Sequence, residues 1–308
     1  MTARFPGCVA AALLAAAALL ACGACGACGS RGSSAAAARG EYLAKLRGCP
    51  ACHSPEPARP YAGGLEGREP AGVWRAGNLT PHAATGIGSW TDAQIVAAIR
   101  DGVAPDGRAL NPIMPYRYYR SLTDEDARAV VAFLRSLAPI DHAVAPAPRS
   151  TAAPPPPPPP PPPAPPAPPP APMDRGAYLV ALMHCASCHA TPGPDGRPDP
   201  SRPFAGGKPM QPFGAGLVSL GTGTLIASNI TPDRETGVGA WSADDLARSI
   251  AALVRPDGAV IRGPMQLYAA GWAAIAPGDL AAIAAYLKQI PPVRHQVPEA
   301  TFVPHRVR

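Results

Sequence analysis

The chain has 308 residues, of which 44 are Pro and 31 are Gly, and only 6% are aromatic. That length suits about two domains of ordinary size, and the Pro and Gly content demands extended or irregular backbone between short elements. The net charge of +6 divides into +1 for residues 39–143 and +2 for residues 173–308, with the rest on Arg4, Arg31 and Arg149. Neither half is basic enough to argue for a nucleic-acid partner.

In chain order, Arg4 precedes an apolar run from Val9 to Leu20. The run is too short for a membrane span and reads as a secretory signal over residues 1–21. Leu19-Leu20-Ala21-Cys22 resembles a bacterial lipobox. It predicts a lipidated Cys22 and a mature chain held on a membrane surface in the periplasm, with ordinary signal cleavage as the alternative. Residues 22–38 read as a flexible tail. Its Cys25 and Cys28 suggest no chemistry.

From Arg39 onward the chain is written twice. RGEYLAKLRGCPACH (39–53) aligns with RGAYLVALMHCASCH (175–189) at an offset of 136, and NLTPHAATGIGSW (78–90) with NITPDRETGVGAW (229–241) at an offset of 151. Met114 and Met265 keep the offset of 151, so the second copy carries about 15 extra residues around the shared AGG at 62–64 and 205–207. Each copy predicts a first helix bearing Tyr42, Leu43 and Leu46, or Tyr178, Leu179 and Leu182, that runs into the CxxCH. A second helix opens with a capping box, Thr91 with Gln94 or Ser242 with Asp245. In the first copy the last helix starts near Thr123 with the acidic turn Asp124-Glu125-Asp126, placed to suit a helix N-terminus.

No alternating strand pattern appears, so the expected fold is all-α: two tandem units, 39–143 and 173–308, of short helices around a buried cofactor. Residues 144–172, with ten consecutive prolines at Pro154–Pro163, read as a polyproline II spacer. A complete set of candidate ligands in each copy predicts units that fold independently on either side of it. The distal loop of the second unit, with Leu253 where the first has Gly102, is expected to be shaped differently.

The CxxCH motifs, Cys49–His53 and Cys185–His189, admit three readings. A four-thiolate zinc site needs two pairs close together, whereas these are 136 residues apart in separate copies. A redox dithiol leaves the following His unexplained. Covalent haem accounts for every position: the two thiols add to the porphyrin vinyl groups, and the His reaches the iron. Two c-type haems are therefore expected. For a sixth iron ligand, Pro-flanked Met114 and Met265 stand at equivalent places, with a core-filling Met as the alternative. His82, His142, His184, His295 and His305 have no evident counterparts and read as surface or loop residues, His82 and His184 being secondary ligand candidates. The duplicated Asn78 and Asn229 read as loop caps. The duplicated Trp90 and Trp241 read equally as core anchors or as propionate donors. Arg117 and Arg120 read as solvated charge rather than a docking patch.

Each unit resembles a class I-type cytochrome c domain. The two NxTP…TGxGxW strings, followed by PDG, a Pro-flanked Met and a C-terminal helix, resemble the cytochrome c subunits of membrane-associated alcohol and gluconate dehydrogenases, which often carry three haems to this chain's two motifs. The resemblance implies thioethers at Cys49, Cys52, Cys185 and Cys188, proximal ligands His53 and His189, and distal ligands Met114 and Met265. The expected function is electron transfer between periplasmic or membrane redox proteins, a dehydrogenase or an oxidase, with no catalytic residue of its own. The alternatives are a dihaem peroxidase-like enzyme and a haem-based sensor.

Overall fold

The computed structural model describes residues 35–69, 72–146, 172–211 and 221–304. The leader, Cys22, Cys25, Cys28, the ten-proline run and His305 lie outside the described residues.

The first half begins with helix α1 over 35–46, which takes in residues 35–38 of the expected tail. Helix α2 (Cys49–His53) carries the first CxxCH, and β1 (Glu66–Glu69) and β2 (Gly72–Arg75) form a hairpin. Helices α3 (Asp92–Asp101), α4 (Tyr116–Tyr119) and α5 (Asp124–Ser136) complete this half. The second half follows the same plan with α6 (Pro172–Leu182), α7 (Ala186–His189), α8 (Ala243–Ala251), a 3₁₀ turn at Pro264–Tyr268, α9 (Ala269–Trp272) and α10 (Pro277–Gln289).

The predicted caps form. Thr91 Oγ1 accepts from the Gln94 N–H at 3.2 Å while Gln94 Oε1 accepts from the Thr91 N–H at 2.8 Å, and Ser242 and Asp245 do the same for α8. Thr123 Oγ1 caps α5 through the Asp126 N–H at 3.1 Å. The recurring Arg-Gly of the repeat has a packing reason. A Cβ on Gly40 would lie 1.9 Å from the Ala129 carbonyl oxygen, and one on Gly176 would lie 2.2 Å from that of Ala282. Only glycine lets α1 cross α5, and α6 cross α10, at this distance.

Strands correct the all-α expectation. β1 pairs with β2, β3 (Pro209–Met210) with β5 (Leu225–Ile226), and β4 (Gly221–Thr222) with β6 (Val303–Pro304), all antiparallel. Glu66 opposes Arg75 in one half and Pro209 opposes Ile226 at the matching place in the other. The extra residues of the second half divide around AGG, seven upstream and eight downstream. The downstream part forms β4, which the C-terminal segment ties down through β6 and the Thr301 N–H to Thr224 carbonyl bond of 3.0 Å. Ladders two residues long leave no alternation to read.

The shape expected of the Leu253 loop is also corrected. Leu253 adopts φ 54° and Gly102 φ 67°. Both loops close alike, through Leu110 N–H to the Gly102 carbonyl and Ile261 N–H to the Leu253 carbonyl, each at 2.7 Å. A buried Leu253 side chain holds a backbone conformation that ordinarily favours glycine.

The two halves pack against each other. The core of the first includes Leu182 of the second, and that of the second includes Leu46 of the first. Tyr42 Oη donates to Asp279 at 2.6 Å, and Tyr178 Oη donates to Asp126 at 2.5 Å. Each aspartate is also held by the arginine of its own half, Arg39 on Asp126 and Arg175 on Asp279, through paired bonds of 2.8–2.9 Å. Trp272 Nε1 donates to the Leu46 carbonyl at 2.9 Å across the same interface. The two knots are reciprocal, so the copies meet about a pseudo-twofold relation. The two expected units therefore dock on one another through shared contacts.

Candidate functional site

Each CxxCH sits on one short helical turn directly after the first helix of its half. Cys49, Cys52, Cys185 and Cys188 are free, partly buried thiols. Burial raises the Cys49 pKa, with the Arg47 charge working against it. Burial takes Cys52 to about 11 and Cys185 to about 12. These three thiols stay protonated at neutral pH and are poor nucleophiles in this setting.

The histidines are held in one tautomer. His53 Nδ1 lies 2.7 Å from the Gly77 carbonyl oxygen, and His189 Nδ1 lies 2.7 Å from that of Ser228. A carbonyl can only accept, so Nδ1 carries the proton and Nε2 keeps its lone pair. Burial lowers both pKa values, opposed by that same hydrogen bond. A neutral imidazole anchored through Nδ1 is what a metal-ligating histidine requires.

The AGG segments, noted in the sequence only as a repeat, build this anchor. The Gly63 N–H donates to the His53 carbonyl at 2.9 Å, and the Gly206 N–H to the His189 carbonyl at 2.7 Å. Both glycines have φ 74° and lie against the backbone segments that carry the Nδ1 acceptors. His142 and His295 clamp the loops from the far side, with Nδ1 on the Ala62 carbonyl at 2.9 Å and on the Ala205 carbonyl at 2.7 Å. They are counterparts after all. Their offset is 153, because two further residues separate Met265 from α10.

Asn78 and Asn229 are loop caps as expected. Asn78 Oδ1 accepts from the Thr80 N–H at 2.9 Å, and its Nδ2 donates to the Ile140 carbonyl at 2.9 Å; Asn229 makes the same bonds to Thr231 and Val293. Each stands next to the residue whose carbonyl holds the histidine. Asn78→Ala leaves the buried Thr80 N–H without its acceptor, while the Ile140 carbonyl keeps Thr80 Oγ1 at 3.3 Å, so a loss of ~1–3 kcal/mol is expected in denaturant unfolding. Asn78→Asp, which keeps the acceptor, should retain part of it.

Met114 and Met265 both pack against the cores of their halves and are partly buried. Met114 lies in a turn closed by its own N–H to the Asn111 carbonyl at 3.1 Å, and Met265 in the 3₁₀ turn. Trp90 and Trp241 also pack on the cores, and their carbonyls accept from Arg135 and from Lys288. The secondary candidates are otherwise employed. His82 closes its own loop on Thr85 at 2.8 Å. His184 lies between the halves, its ring centroid 5.3 Å from that of Tyr268 and about 6 Å from those of Tyr118 and Tyr119. Arg117 is exposed, as a solvated charge would be, whereas Arg120 is only 23% exposed, with its Nε buried 3.6 Å from Asp101, which corrects the reading of it as solvated.

The donor set fits a covalently held haem. Each half offers two thiols, an imidazole with Nε2 free and a soft thioether. In the first half the Tyr61 hydroxyl and the Trp74 indole N–H are buried with no partner among the described residues, as donors awaiting a polar group from outside the chain would be. Among the described residues no three His, Cys, Asp or Glu side chains gather as a metal-ion site.

Fold and site therefore define a haem protein of the c type. Residues 37–138 match the family described as Cytochrome c. A "Diheme cytochrome c-type" of Cereibacter sphaeroides is 30% identical over 274 residues, which cover 83% of this chain and 86% of that protein. The chain belongs to the cytochrome c family, and its cofactors are c-type haems. The cytochrome c subunit of a quinone-type alcohol dehydrogenase of Gluconobacter oxydans is 32% identical over 83% of the chain, and that of a gluconate 2-dehydrogenase of Pantoea cypripedii 33% over 82%. The chain spans 55% and 59% of those two relatives' lengths.

Proposed function

We propose that this chain is a dihaem electron carrier that takes electrons from a dehydrogenase and passes them to a further redox protein. Cys49 and Cys52 hold one haem and Cys185 and Cys188 the other, with His53 and His189 as proximal and Met114 and Met265 as distal iron ligands. The observation that carries this reading is the duplicated anchor: two CxxCH histidines with Nδ1 on a backbone carbonyl at 2.7 Å, each in a half whose core seats a methionine at the matching place. Bound haem supplies a one-electron iron couple. The carbonyls of Gly77 and Ser228 orient the imidazoles and raise their basicity, and methionine opposite histidine raises the potential. A methionine on each iron closes the position that a peroxidase needs open.

A dehydrogenase partner is supported by the relatives that serve alcohol and gluconate dehydrogenases. Two tandem cytochrome units joined by the proline-rich segment account for the repeat. Export and a lipid anchor at Cys22 rest on residues 1–22. Among the described residues no helix is long and apolar enough to cross a membrane.

The test is a pyridine haemochrome count of two haems per chain, followed by Met114→Ala and Met265→Ala. Each variant should lose its half's share of the weak charge-transfer band near the red edge, lower one potential and admit carbon monoxide at one iron. A Met265→Ala protein unchanged in all three would give the second iron another ligand or an open site, and the peroxidase-like reading would replace the carrier.

A further inference from the structure

We infer that the buried guanidinium of Arg47 sets the two haems at unequal potentials, so that an electron shared between them rests on the haem of the first half. This rests on the dihaem reading above. Arg47 lies two residues before Cys49 and is only 2% exposed. Its guanidinium lies over the ring of Tyr119, 3.5 Å from the centroid, and its Nε and Nη1 have no hydrogen-bond partner. Among the described residues no carboxylate pairs with it. A buried charge met only by an aromatic ring, with no carboxylate partner, is costly and needs a reason.

The second half supplies the contrast. The counterpart of Arg47 in the repeat is Met183, which is equally buried at 2% exposure and carries no charge. The unpartnered donors Tyr61 and Trp74 are matched by Phe204 and Leu225. Among the described residues the unpartnered buried groups of the second half near its CxxCH reduce to the neutral Thr191 hydroxyl, so the buried charge stands beside the first CxxCH alone. The charge of Arg47 bears on the Cys49 thiol and not on the Cys185 thiol. His184, the titratable neighbour from the other half, adds no competing cation at neutral pH: burial, and then the Arg47 charge itself, lower its pKa to about 4.

The sign follows from charge. Reduction removes one positive charge from the iron centre, so a fixed cation nearby opposes the oxidised state and raises the potential. At an effective dielectric constant of ~20, one charge ~10 Å away still exceeds thermal energy about threefold. The transfer is one electron from ferrous iron in the second half to ferric iron in the first, with no proton moved. The aromatic cluster of Tyr118, His184 and Tyr268 lies between the two CxxCH segments.

The experiment uses the full-length holoprotein, with its haem content measured first. Potentiometric titration of the wild type should give two waves, and partial reduction followed by NMR of the haem methyls should show the haem linked to Cys49 and Cys52 reduced first. Arg47→Met, the residue of the other copy, should lower that haem's affinity for the electron at least ~10-fold, which is 59 mV for one electron, and bring the waves together. Arg47→Lys should keep most of the separation. Unchanged waves in Arg47→Met, or prior reduction of the haem linked to Cys185 and Cys188, overturns the inference. If Arg47→Met does not fold, the wild-type order of reduction decides alone. Fewer than two haems in the wild type overturns the dihaem reading, and this inference with it.

Discussion

Asp126→Ala is expected to cost about 3–5 kcal/mol and to loosen the two halves from each other. The carboxylate takes a bidentate pair from Arg39 within its own half and a 2.5 Å bond from Tyr178 of the other, and it is 7% exposed. Its removal strands a phenol and a guanidinium, the latter 32% exposed, at one interface, and breaking such a partly buried, hydrogen-bonded pair is costly. Thermal unfolding with X-ray scattering checks both parts: a melting point lower by roughly ten degrees, at ~2–4 °C per kcal/mol for a chain of this size class, and a larger radius of gyration. Tyr178→Phe alone should cost ~1 kcal/mol, and almost nothing once Asp126 is gone. Additive losses would mean that the pair does not meet in solution.

The same knot predicts acid sensitivity. Burial pushes the carboxyl groups of Asp126 and Asp279 upward, but the hydrogen bonds from Arg39 and Tyr178, and from Arg175 and Tyr42, outweigh it and leave both below the ordinary value of 3.8. A carboxylate with a depressed folded pKa contributes stability above its unfolded pKa and loses it as pH falls through the folded one. Docking should therefore hold at neutral pH and weaken below about pH 4.

Gly271→Ala is the second large effect, and its sign is diagnostic. Gly271 lies in α9 with an ordinary helical φ, so alanine there would favour that helix by up to ~1 kcal/mol. Its Cβ, however, would lie 2.3 Å from the Lys45 carbonyl oxygen, in the first helix of the other half. That oxygen belongs to the backbone and cannot swing away. The substitution should thus destabilise the full chain by ~1–3 kcal/mol as an overpacking change, and alter the fluorescence of Trp272, whose indole bonds the next carbonyl at Leu46. A Gly271→Ala protein more stable than wild type would place α9 away from α1 in solution.

Local features were legible in the sequence because each is decided within a few residues. The capping boxes of α3 and α8 need only residues three apart. The CxxCH and its following histidine fit on one turn, and the Asn-x-Thr turn closes on itself. Duplication supplied the rest of the reading, since Met114 and Met265 stand out only by comparing the copies. Where comparison slipped by two residues, as between His142 and His295, the pairing was missed.

What the residues alone did not determine lies at longer range. Asp126 is as good a helix N-terminal acid as Asp124, and Tyr42 is as good a core residue as Leu43. Nothing within either half shows that Tyr42 reaches Asp279, 237 residues on, or that Arg47 is shut in while Arg39 finds a partner. The sequence by itself determined the two CxxCH anchors and the paired methionines, because these side chains are near each other in the chain or repeated in it. Tertiary structure decided that the two sites share one interface and have unequal surroundings. Those depend on contacts between surfaces whose chain separation, tens to hundreds of residues, leaves no local pattern to read.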